Sequence, residues 1–463
     1  MRIYTQFFSN KKSGFFSLVV LVSALTGYGS DRGQAASRAA LQNSIAVHAI
    51  DPDPIAPSKV VAAYYPEWAV YGRKFGVEQI PFDKLTHLLY AFLPICGPNA
   101  SLQSANPSGW SILQHECQGK SDYEVTIHDR NAALGTANNN FGKLAEAKLK
   151  HPQLKILASI GGWTLSDPFH YLVKSPATRA VFIQSVTRFL TEYPFFDGVD
   201  LDWEYPGGGG ANSSLGAITD GADFIALISE LRLALNALEV QNHKTYLATA
   251  AVGSAPAKIS QINYAELFVN QKRPLLDLVF AMTYDYYGAW SGVRGHQAGL
   301  YANDSVIYDG FYGEATIKKL LSAGVPAQNL VLGVAMYGRA WQNVQTSGSN
   351  PLSLSASDDS ATAWALETGM WEPGILDYKF IINRYRHDSG FSRLFDTKAK
   401  APLLWSPSLR KLISYEDTCS TRFKREFAQK QGLAGLFAWE IDADNGEILQ
   451  AMNDGAALEN CPE

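Results

Sequence analysis

Eight short apolar runs recur along this chain of 463 residues, and their spacing constrains the fold more than any other feature. Runs of this length suit strands that are buried on both faces, as in parallel sheets. Helical periodicity occupies intervening stretches such as 222–238 and 314–323. Alternating strands and helices indicate an α/β barrel or a doubly wound sheet, and eight strands is the number in a (β/α)8 TIM barrel. The runs are 60–65, 86–95, 155–160, 195–203, 245–252, 275–284, 330–337 and 433–439.

The fourth run carries four carboxylates within eight residues, at Asp197, Asp200, Asp202 and Glu204. Side chains alternate between the faces of a strand, so the last three acids share one face and the apolar residues between them take the other. Three acids that face one space are costly unless some are protonated or hydrogen-bonded, and the pattern therefore predicts a site of proton transfer. The alternatives are a solvated edge strand, which the apolar neighbours disfavour, and a cation site, which would more often show loop spacing.

Segment 197–204 reads Asp-Gly-Val-Asp-Leu-Asp-Trp-Glu and resembles the DxxDxDxE signature of glycoside hydrolase family 18, the chitinases. Segments 159–163, 282–286 and 435–439 resemble three further strand motifs of that family, in the expected order. The resemblance covers about residues 59 to 450 and is closest to the bacterial chitinase A branch. It implies that the chain hydrolyses β-1,4 linkages of N-acetylglucosamine in chitin and chito-oligosaccharides, by a retaining mechanism in which the substrate assists.

The resemblance also implies roles for the acids, which fall near the C-terminal ends of strands, where barrel enzymes place their sites. Glu204 would act as general acid and then general base, and Asp202 would bind the acetamido N–H of the substrate. Asp200 would share a proton with Asp202, because two carboxyls this close are rarely both charged. Tyr284 would support the acetamido oxygen, although without the resemblance it would be interpreted as a core aromatic. Asp197 lies an odd number of residues before the other three acids, so its side chain faces the opposite side of the strand. We interpret it as a structural residue that accepts hydrogen bonds from backbone N–H groups.

A cleft lined mainly by aromatic rings follows from the same resemblance, because sugar faces are apolar and stack on indole and phenol rings. Trp439 would form the floor under the sugar that distorts, Trp163 and Trp290 would lie on the leaving-group side, and Trp68 and Tyr71 on the far glycone side. Further lining positions are Met282, Asp285, Phe92, Tyr64, Tyr337, Arg339, Trp371 and Glu372. The residues expected to let the third strand approach the catalytic strand closely are Ser159, Gly161 and Gly162.

The gap between the seventh and eighth runs is far longer than an ordinary connection. After a final barrel helix near 421–431, residues 341–412 are left over, and they resemble the α+β insertion that forms one wall of the cleft in chitinase A. We therefore predict an α/β fold, a (β/α)8 TIM barrel over residues 59–450 with that insertion between strands 7 and 8, followed by a C-terminal tail at 451–463.

The N-terminus has the pattern of an export signal. Arg2, Lys11 and Lys12 precede an apolar run at 15–25, which is too short to span a bilayer comfortably. We expect a signal peptide within residues 1–30 and a flexible lead-in at 31–58, with an uncleaved membrane anchor as the alternative. The protein is expected to be secreted, extracellular and monomeric, without stable membrane association after cleavage.

Four cysteines fit an oxidising compartment. Cys96 and Cys117 lie in the long connection after the second strand and could form a disulfide that closes it. Cys419 and Cys461 could tie the C-terminal tail to the last barrel segment. Three pairings are formally possible, and free buried thiols are the alternative.

Other functions are disfavoured on particular residues. A net charge of −5 without a dense basic run argues against a nucleic-acid partner. The family includes non-catalytic lectins that lose the terminal glutamate of the signature, but Glu204 is present here. An endo-β-N-acetylglucosaminidase acting on N-glycans would share the signature, and the long insertion and many aromatics favour a linear polymer instead. No cofactor and no metal are implied.

Overall fold

The computed structural model describes residues 60–269, 273–304, 307–346, 350–352, 361–367, 370–453 and 461–462. The predicted signal peptide at 1–30 and lead-in at 31–58 lie outside the described residues, as do parts of the insertion and of the tail.

Eight parallel strands close into a barrel, in the order β1-β14-β7-β6-β5-β4-β3-β2. Each of the eight apolar runs contributes one of these strands, so the predicted (β/α)8 barrel is confirmed. The strands are β1 (Val60–Pro66), β2 (His87–Leu93), β3 (Lys155–Gly161), β4 (Gly198–Asp202), β5 (Leu247–Gly253), β6 (Leu278–Met282), β7 (Leu330–Ala335) and β14 (Gly435–Trp439).

Some strands are shorter than the apolar runs that predicted them. The run 275–284 forms a strand only as far as Met282, because the next two backbone N–H groups bond locally instead of continuing the ladder. Thr283 N donates to Ala281 O at 2.8 Å, and Tyr284 N donates to Met282 O at 2.8 Å. The chain therefore turns at the C-terminal mouth of the barrel, where its polar side chains gather.

The outer layer of helices packs against the barrel through one large apolar core. The three predicted helices form α7, α10 and α12, and α12 begins at a capping box in which Asp417 accepts the N–H groups of Cys419 and Ser420. The helices are α1 (Ala100–Ala105), α2 (Pro107–Glu116), α3 (Arg130–Ala133), α4 (Asn140–Lys150), α5 (Phe169–Leu172), α6 (Pro176–Glu192), α7 (Asp220–Asn242), α8 (Pro256–Ile259), α9 (Ala265–Phe268), α10 (Gly313–Ser322), α11 (Tyr378–Arg384), α12 (Thr418–Lys430) and α13 (Glu447–Asn453). None of the helices in the described ranges has the length and apolarity needed to cross a membrane.

A second, antiparallel sheet forms the insertion between the last two barrel strands, and helix α11 lies within it. It spans Tyr337 to Ser414, so it begins before and ends after the predicted range 341–412. The run 330–337 is apolar throughout and does not show this start. The chain leaves the barrel at Met336, whose N–H still donates to Trp439 O in β14 while its carbonyl accepts the Tyr378 N–H of the insertion. The strands are β8 (Tyr337–Gln342), β9 (Thr362–Ala363), β10 (Ile375–Asp377), β11 (Ser392–Asp396), β12 (Ala401–Ser406) and β13 (Lys411–Ser414).

All four cysteines are paired as the sequence suggested. Cys96 and Cys117 close the excursion after β2, with Cα atoms 5.7 Å apart. Cys419 and Cys461 join helix α12 to the tail, with Cα atoms 5.6 Å apart. The alternative of free thiols is therefore excluded in this structure.

Candidate active site

The acidic motif ends strand β4 with the alternation that its sequence predicted. Asp200 and Asp202 are buried, while Leu201 and Trp203 join the apolar core between the barrel and its helices. Glu204 follows directly, half-buried at the C-terminal mouth of the barrel. One strand end therefore carries three carboxyls towards one space.

Asp200 is held by three hydroxyl groups from the strands around it. Its Oδ2 accepts hydrogen bonds from Tyr64 and Ser159, each at 2.8 Å, and its Oδ1 accepts one from Thr249 at 2.7 Å. Burial raises the pKa of Asp200, and the three hydrogen bonds offset part of that rise. Tyr64, expected to line the cleft, thus lies beneath its floor. Thr249 was missed, although it pairs in register with Asp200 on strand β5.

Asp202 presents an unsatisfied oxygen to the barrel mouth. Its Oδ1 has no hydrogen-bond partner among the residues that the structure describes. Burial raises its pKa well above the usual value, and the charges of Glu204 and then Asp200 raise it further. The sequence pointed to Asp200 as the residue that shares a proton with Asp202. In the structure the charge of Glu204 raises the pKa of Asp202 more than the charge of Asp200 does. A buried acceptor without a donor is costly, so this oxygen is suited to a donor on a ligand.

Glu204 has the properties of an acid that is protonated near neutral pH. Burial raises its pKa to about 7, opposed by hydrogen bonding from Tyr205 and supported by the charge of Asp285. Its backbone N–H donates to Ser166 Oγ at 2.9 Å, which fixes the chain where the side chain begins. The sequence interpretation gave no role to Tyr205 or Ser166, and the position of Tyr205 next to the motif was the available signal.

Tyr284 lies buried beside this acidic space. Burial raises its pKa well above the usual value, and the charges of Asp202, Asp285, Glu204 and Asp200 add to the rise. Its hydroxyl therefore stays protonated and can donate. The ring meets that of Tyr337 edge-on, with centroids 6.2 Å apart.

The residues after β6 and at the start of the insertion form a second polar group. Arg339 Nε donates to Asp285 Oδ1 at 2.7 Å. The same guanidinium lies 4.6 Å from the ring centroid of Trp290, which is 61% exposed. Met282, at the end of β6, is buried. The structure thus brings together Asp285, Arg339 and Trp290, which the sequence placed in one cleft.

An aromatic floor runs from the barrel mouth towards the loop after β1. Trp439 stacks on Phe92 with centroids 5.5 Å apart and planes 15° from parallel. Phe92 in turn lies 6.3 Å from Trp68, and Tyr64 lies 5.4 Å from Trp439. Trp68 and Trp163 present 42% and 51% of their surface to solvent. Exposed indoles of this kind suit the stacking of sugar rings.

Tyr71 and Trp371 have partners that the sequence did not reveal. The Tyr71 hydroxyl donates to Asp129 Oδ2 at 2.6 Å. Trp371 Nε1 donates to Asp377 Oδ2 at 3.1 Å, and the same carboxylate binds Arg73. The insertion is thereby fixed against the loop after β1. Glu372, beside Trp371, is exposed.

Arg73, which was missed, lies beneath this contact. Its guanidinium also pairs with Glu440 at 2.8 Å, in the residue that follows Trp439. Burial raises the pKa of Glu440 well above the usual value, and the charge of Asp442 adds to the rise while Arg73 opposes it. Arg73, which is half-buried, therefore links the residue after Trp439 to the insertion.

Asp197 and the two glycines at the end of strand β3 make close contacts with neighbouring elements. Asp197 Oδ2 accepts the Ile156 N–H at 2.8 Å and the Lys148 ammonium at 2.7 Å. A Cβ added to Gly161 would clash with the Asp202 carbonyl, and one added to Gly162 would clash with the Phe92 ring. Both glycines have φ near +100°, at 110° and 95°. Strand β3 can approach strand β4 and Phe92 because these positions lack side chains.

Comparisons with known proteins agree with this geometry. Residues 60–444 match the profile of Glycosyl hydrolases family 18. Chitinase A of Pseudoalteromonas piscicida is 40% identical over 444 residues, which cover 88% of this chain and 53% of that protein. The chain therefore spans about half the length of that relative.

Solved structures give the same picture of the barrel. Chitinase ChiA74 from Bacillus thuringiensis superposes with a TM-score of 0.73 at 29% identity, covering 85% of this chain and 69% of that one. Catalytic domain 2 of the Group II chitinase of Ostrinia furnacalis, solved in complex with penta-N-acetylchitooctaose (NAG)5, superposes with a TM-score of 0.70 at 26% identity. That match covers 85% of this chain and 95% of the other.

Proposed function

The chain belongs to glycoside hydrolase family 18, and from that premise we propose that it is a chitinase. It hydrolyses β-1,4 linkages between N-acetylglucosamine units in chitin and chito-oligosaccharides, with retention of configuration. The proposal rests on the Oδ1 of buried Asp202, which has no hydrogen-bond partner in the described part of the chain, next to a glutamic acid that is protonated near neutral pH. Both features suit a substrate that brings its own amide to the site.

The substrate itself supplies the nucleophile. In a substrate-assisted mechanism the acetamido oxygen of the substrate attacks the anomeric carbon, and no enzyme carboxylate forms a covalent bond with the sugar. Asp202 Oδ1 accepts the acetamido N–H and stabilises the positive charge of the cyclic intermediate. Asp200 cannot replace it in this role, because its oxygens are already engaged by Tyr64, Ser159 and Thr249.

Glu204 supplies the proton that the leaving oxygen needs. Glu204, with its pKa raised to about 7, donates a proton to the leaving oxygen and then takes one from the attacking water. The Tyr284 hydroxyl, kept protonated by burial, donates to the acetamido oxygen. The three side chains thus have separate roles: Asp202 positions the acetamido group, Glu204 transfers the proton, and Tyr284 supports the acetamido oxygen.

The shape of the site supports a linear substrate. Trp439, Phe92 and Trp68 form a continuous floor. Trp371 of the insertion is exposed and lies against Gly72, in the same loop after β1 that carries Trp68. Relatives named as chitinases support the same substrate class. An endoglycosidase acting on N-glycans and a lectin are less favoured, since the curated and structural relatives reported above are chitinases and Glu204 is intact.

We also propose that the protein acts outside the cell. The two disulfides support an oxidising compartment, as secreted proteins use. Mass spectrometry of the mature N-terminus would test the predicted signal peptide: a start after residue 27 supports it, and an intact Met1 contradicts it.

The anomeric form of the first product tests the mechanism. Hydrolysis of chitohexaose, followed by proton NMR within the first minutes, should give the β-anomer ahead of mutarotation, because two displacements at one carbon retain configuration. Initial α-anomer would mean direct attack by water and would exclude substrate assistance. A chitohexaose sample without enzyme controls for spontaneous mutarotation.

A further inference from the structure

We propose that His170 is a positioning residue for Glu204, joining strand β4 to the loop that follows the acid through a chain of Trp203, His170 and Asp220. The inference rests on the proposed function, because the effect of misplacing Glu204 is measured as chitin hydrolysis. It concerns the back of the catalytic strand, away from the substrate.

The first link is the indole of Trp203, the residue between Asp202 and Glu204. This side chain is buried behind the strand, where its ring stacks on Phe169 with centroids 5.6 Å apart and planes 17° from parallel. Its single polar atom, Nε1, lies 3.2 Å from His170 Nε2. A buried indole N–H needs an acceptor, and His170 supplies it.

This contact sets the tautomer of His170. An indole N–H can only donate, so the Nε2 atom of His170 must carry a lone pair. The proton of the neutral ring then lies on Nδ1, which is 3.0 Å from Asp220 Oδ2 and donates to it. The ring therefore relays a hydrogen bond in one direction, from Trp203 to Asp220.

The last link holds the loop after Glu204. Asp220 is fully buried at the first position of helix α7, and its Oδ2 also accepts the N–H groups of Gly207 at 3.1 Å and Ala217 at 2.9 Å. Lys174 donates to its Oδ1 at 2.6 Å. Burial raises the pKa of Asp220, but these hydrogen bonds and that from His170 outweigh burial and hold the pKa below the usual value. The carboxylate stays ionised and remains an acceptor.

The chain thus fixes Glu204 from both sides. Trp203 precedes the acid and Gly207 follows it by three residues, and both are tied to the same histidine–aspartate pair. Ser166 fixes the Glu204 backbone N–H directly, so loss of His170 shifts the acid without releasing it. A side chain with ring packing alone, such as phenylalanine, would keep the contacts with Trp203 and lose both hydrogen bonds.

The activity test compares His170→Phe with His170→Gln on a chromogenic chitobioside. We expect His170→Phe to lower kcat about 10-fold with KM changed by less than about twofold, because a displaced proton donor affects chemistry more than binding. His170→Gln should recover kcat to within about threefold of wild type, since its amide oxygen can accept the indole N–H. His115→Phe, at a ring 75% exposed, is the matched control and should leave both constants unchanged. Wild-type kcat in folded His170→Phe would overturn the proposal.

A second measurement needs neither a variant that folds nor activity. Nitrogen-15 NMR of the wild-type protein at pH 7, with the His170 signal assigned by through-bond correlation, should show protonated Nδ1 and Nε2 without a proton. Protonated Nε2 would contradict the chain. If the protein failed to cleave chitobioside at all, the proposed function would fall, while this tautomer would still decide whether the chain exists.

Discussion

Glu204→Gln is expected to lower kcat on a chromogenic chitobioside by at least ~10²–10³, while chito-oligosaccharide binding is retained. Glutamine keeps the shape and the burial of the side chain but cannot deliver a proton to the leaving oxygen. Stopped or continuous release of the chromophore measures the rate, and calorimetric titration with chitohexaose measures binding. Turnover within threefold of wild type would refute the assignment of Glu204 as the acid.

The pH dependence gives the same prediction a second readout. Burial raises the pKa of Glu204 to about 7, so the acid is protonated below that pH and loses its proton above it. Wild-type activity should therefore fall on the basic side with an apparent pKa near 7, and the residual activity of Glu204→Gln should lack this fall. Glu146→Gln, at an exposed position of helix α4, is the matched control and should behave as wild type.

Asp202→Asn is expected to lower kcat by ~10²–10³, the range found when one group that stabilises a developing charge is removed. Asparagine fits the same space, so the structural change is small. The Asp202 carboxyl, whose pKa is raised, can pass its proton to Asp200 and carry a negative charge opposite the cyclic intermediate, whereas a neutral amide cannot. Its oxygen can still accept the acetamido N–H, so KM should change far less than kcat. Steady-state kinetics on the chitobioside separates the two constants.

The control for this variant is Asp83→Asn, which alters an exposed aspartate before strand β2. A fall confined to KM in Asp202→Asn would mean that the carboxylate binds substrate equally in the ground and transition states. An unchanged kcat would mean that the unpartnered Oδ1 has no part in the reaction.

The barrel could be predicted because its strands are local signals. Each buried parallel strand is a short apolar run, and eight of them were visible without tertiary information. The insertion boundary could not be read, since Val331 to Tyr337 is apolar whether it lies in one sheet or two. The chain leaves the barrel at Met336, whose N–H donates to Trp439 O in the barrel while its carbonyl accepts the Tyr378 N–H of the insertion.

The acids of the site could be predicted for a related reason. Period-two alternation along one strand places Asp200, Asp202 and Glu204 on the same face, whatever surrounds them. Their partners lie far along the chain: Thr249 reaches Asp200 from the next strand, and Arg73 reaches Glu440 from the loop after β1. Contacts between residues so far apart in the chain leave no local pattern in the sequence.

The relative strength of the carboxyl couplings also depended on the structure. Sequence spacing places Asp200 and Glu204 equally far from Asp202, so it could not rank them. Burial raises the pKa of both Asp200 and Glu204, but three hydroxyl hydrogen bonds offset part of the rise at Asp200. The proposed roles of the acids therefore follow from the surroundings of each side chain and not from their spacing along the strand.

Incubation of equal concentrations of chitohexaose and cellohexaose with the purified protein, followed by mass spectrometry of the products, tests whether the substrate supplies the nucleophile. The two chains share the β-1,4 linkage and differ in the acetamido group, whose oxygen is the proposed nucleophile. Chitohexaose should be cleaved, and cellohexaose should be cleaved at least ~10³-fold more slowly, since the intramolecular attack is lost. Comparable cleavage of both would show that the enzyme needs no amide from its substrate, and the mechanism would have to be abandoned.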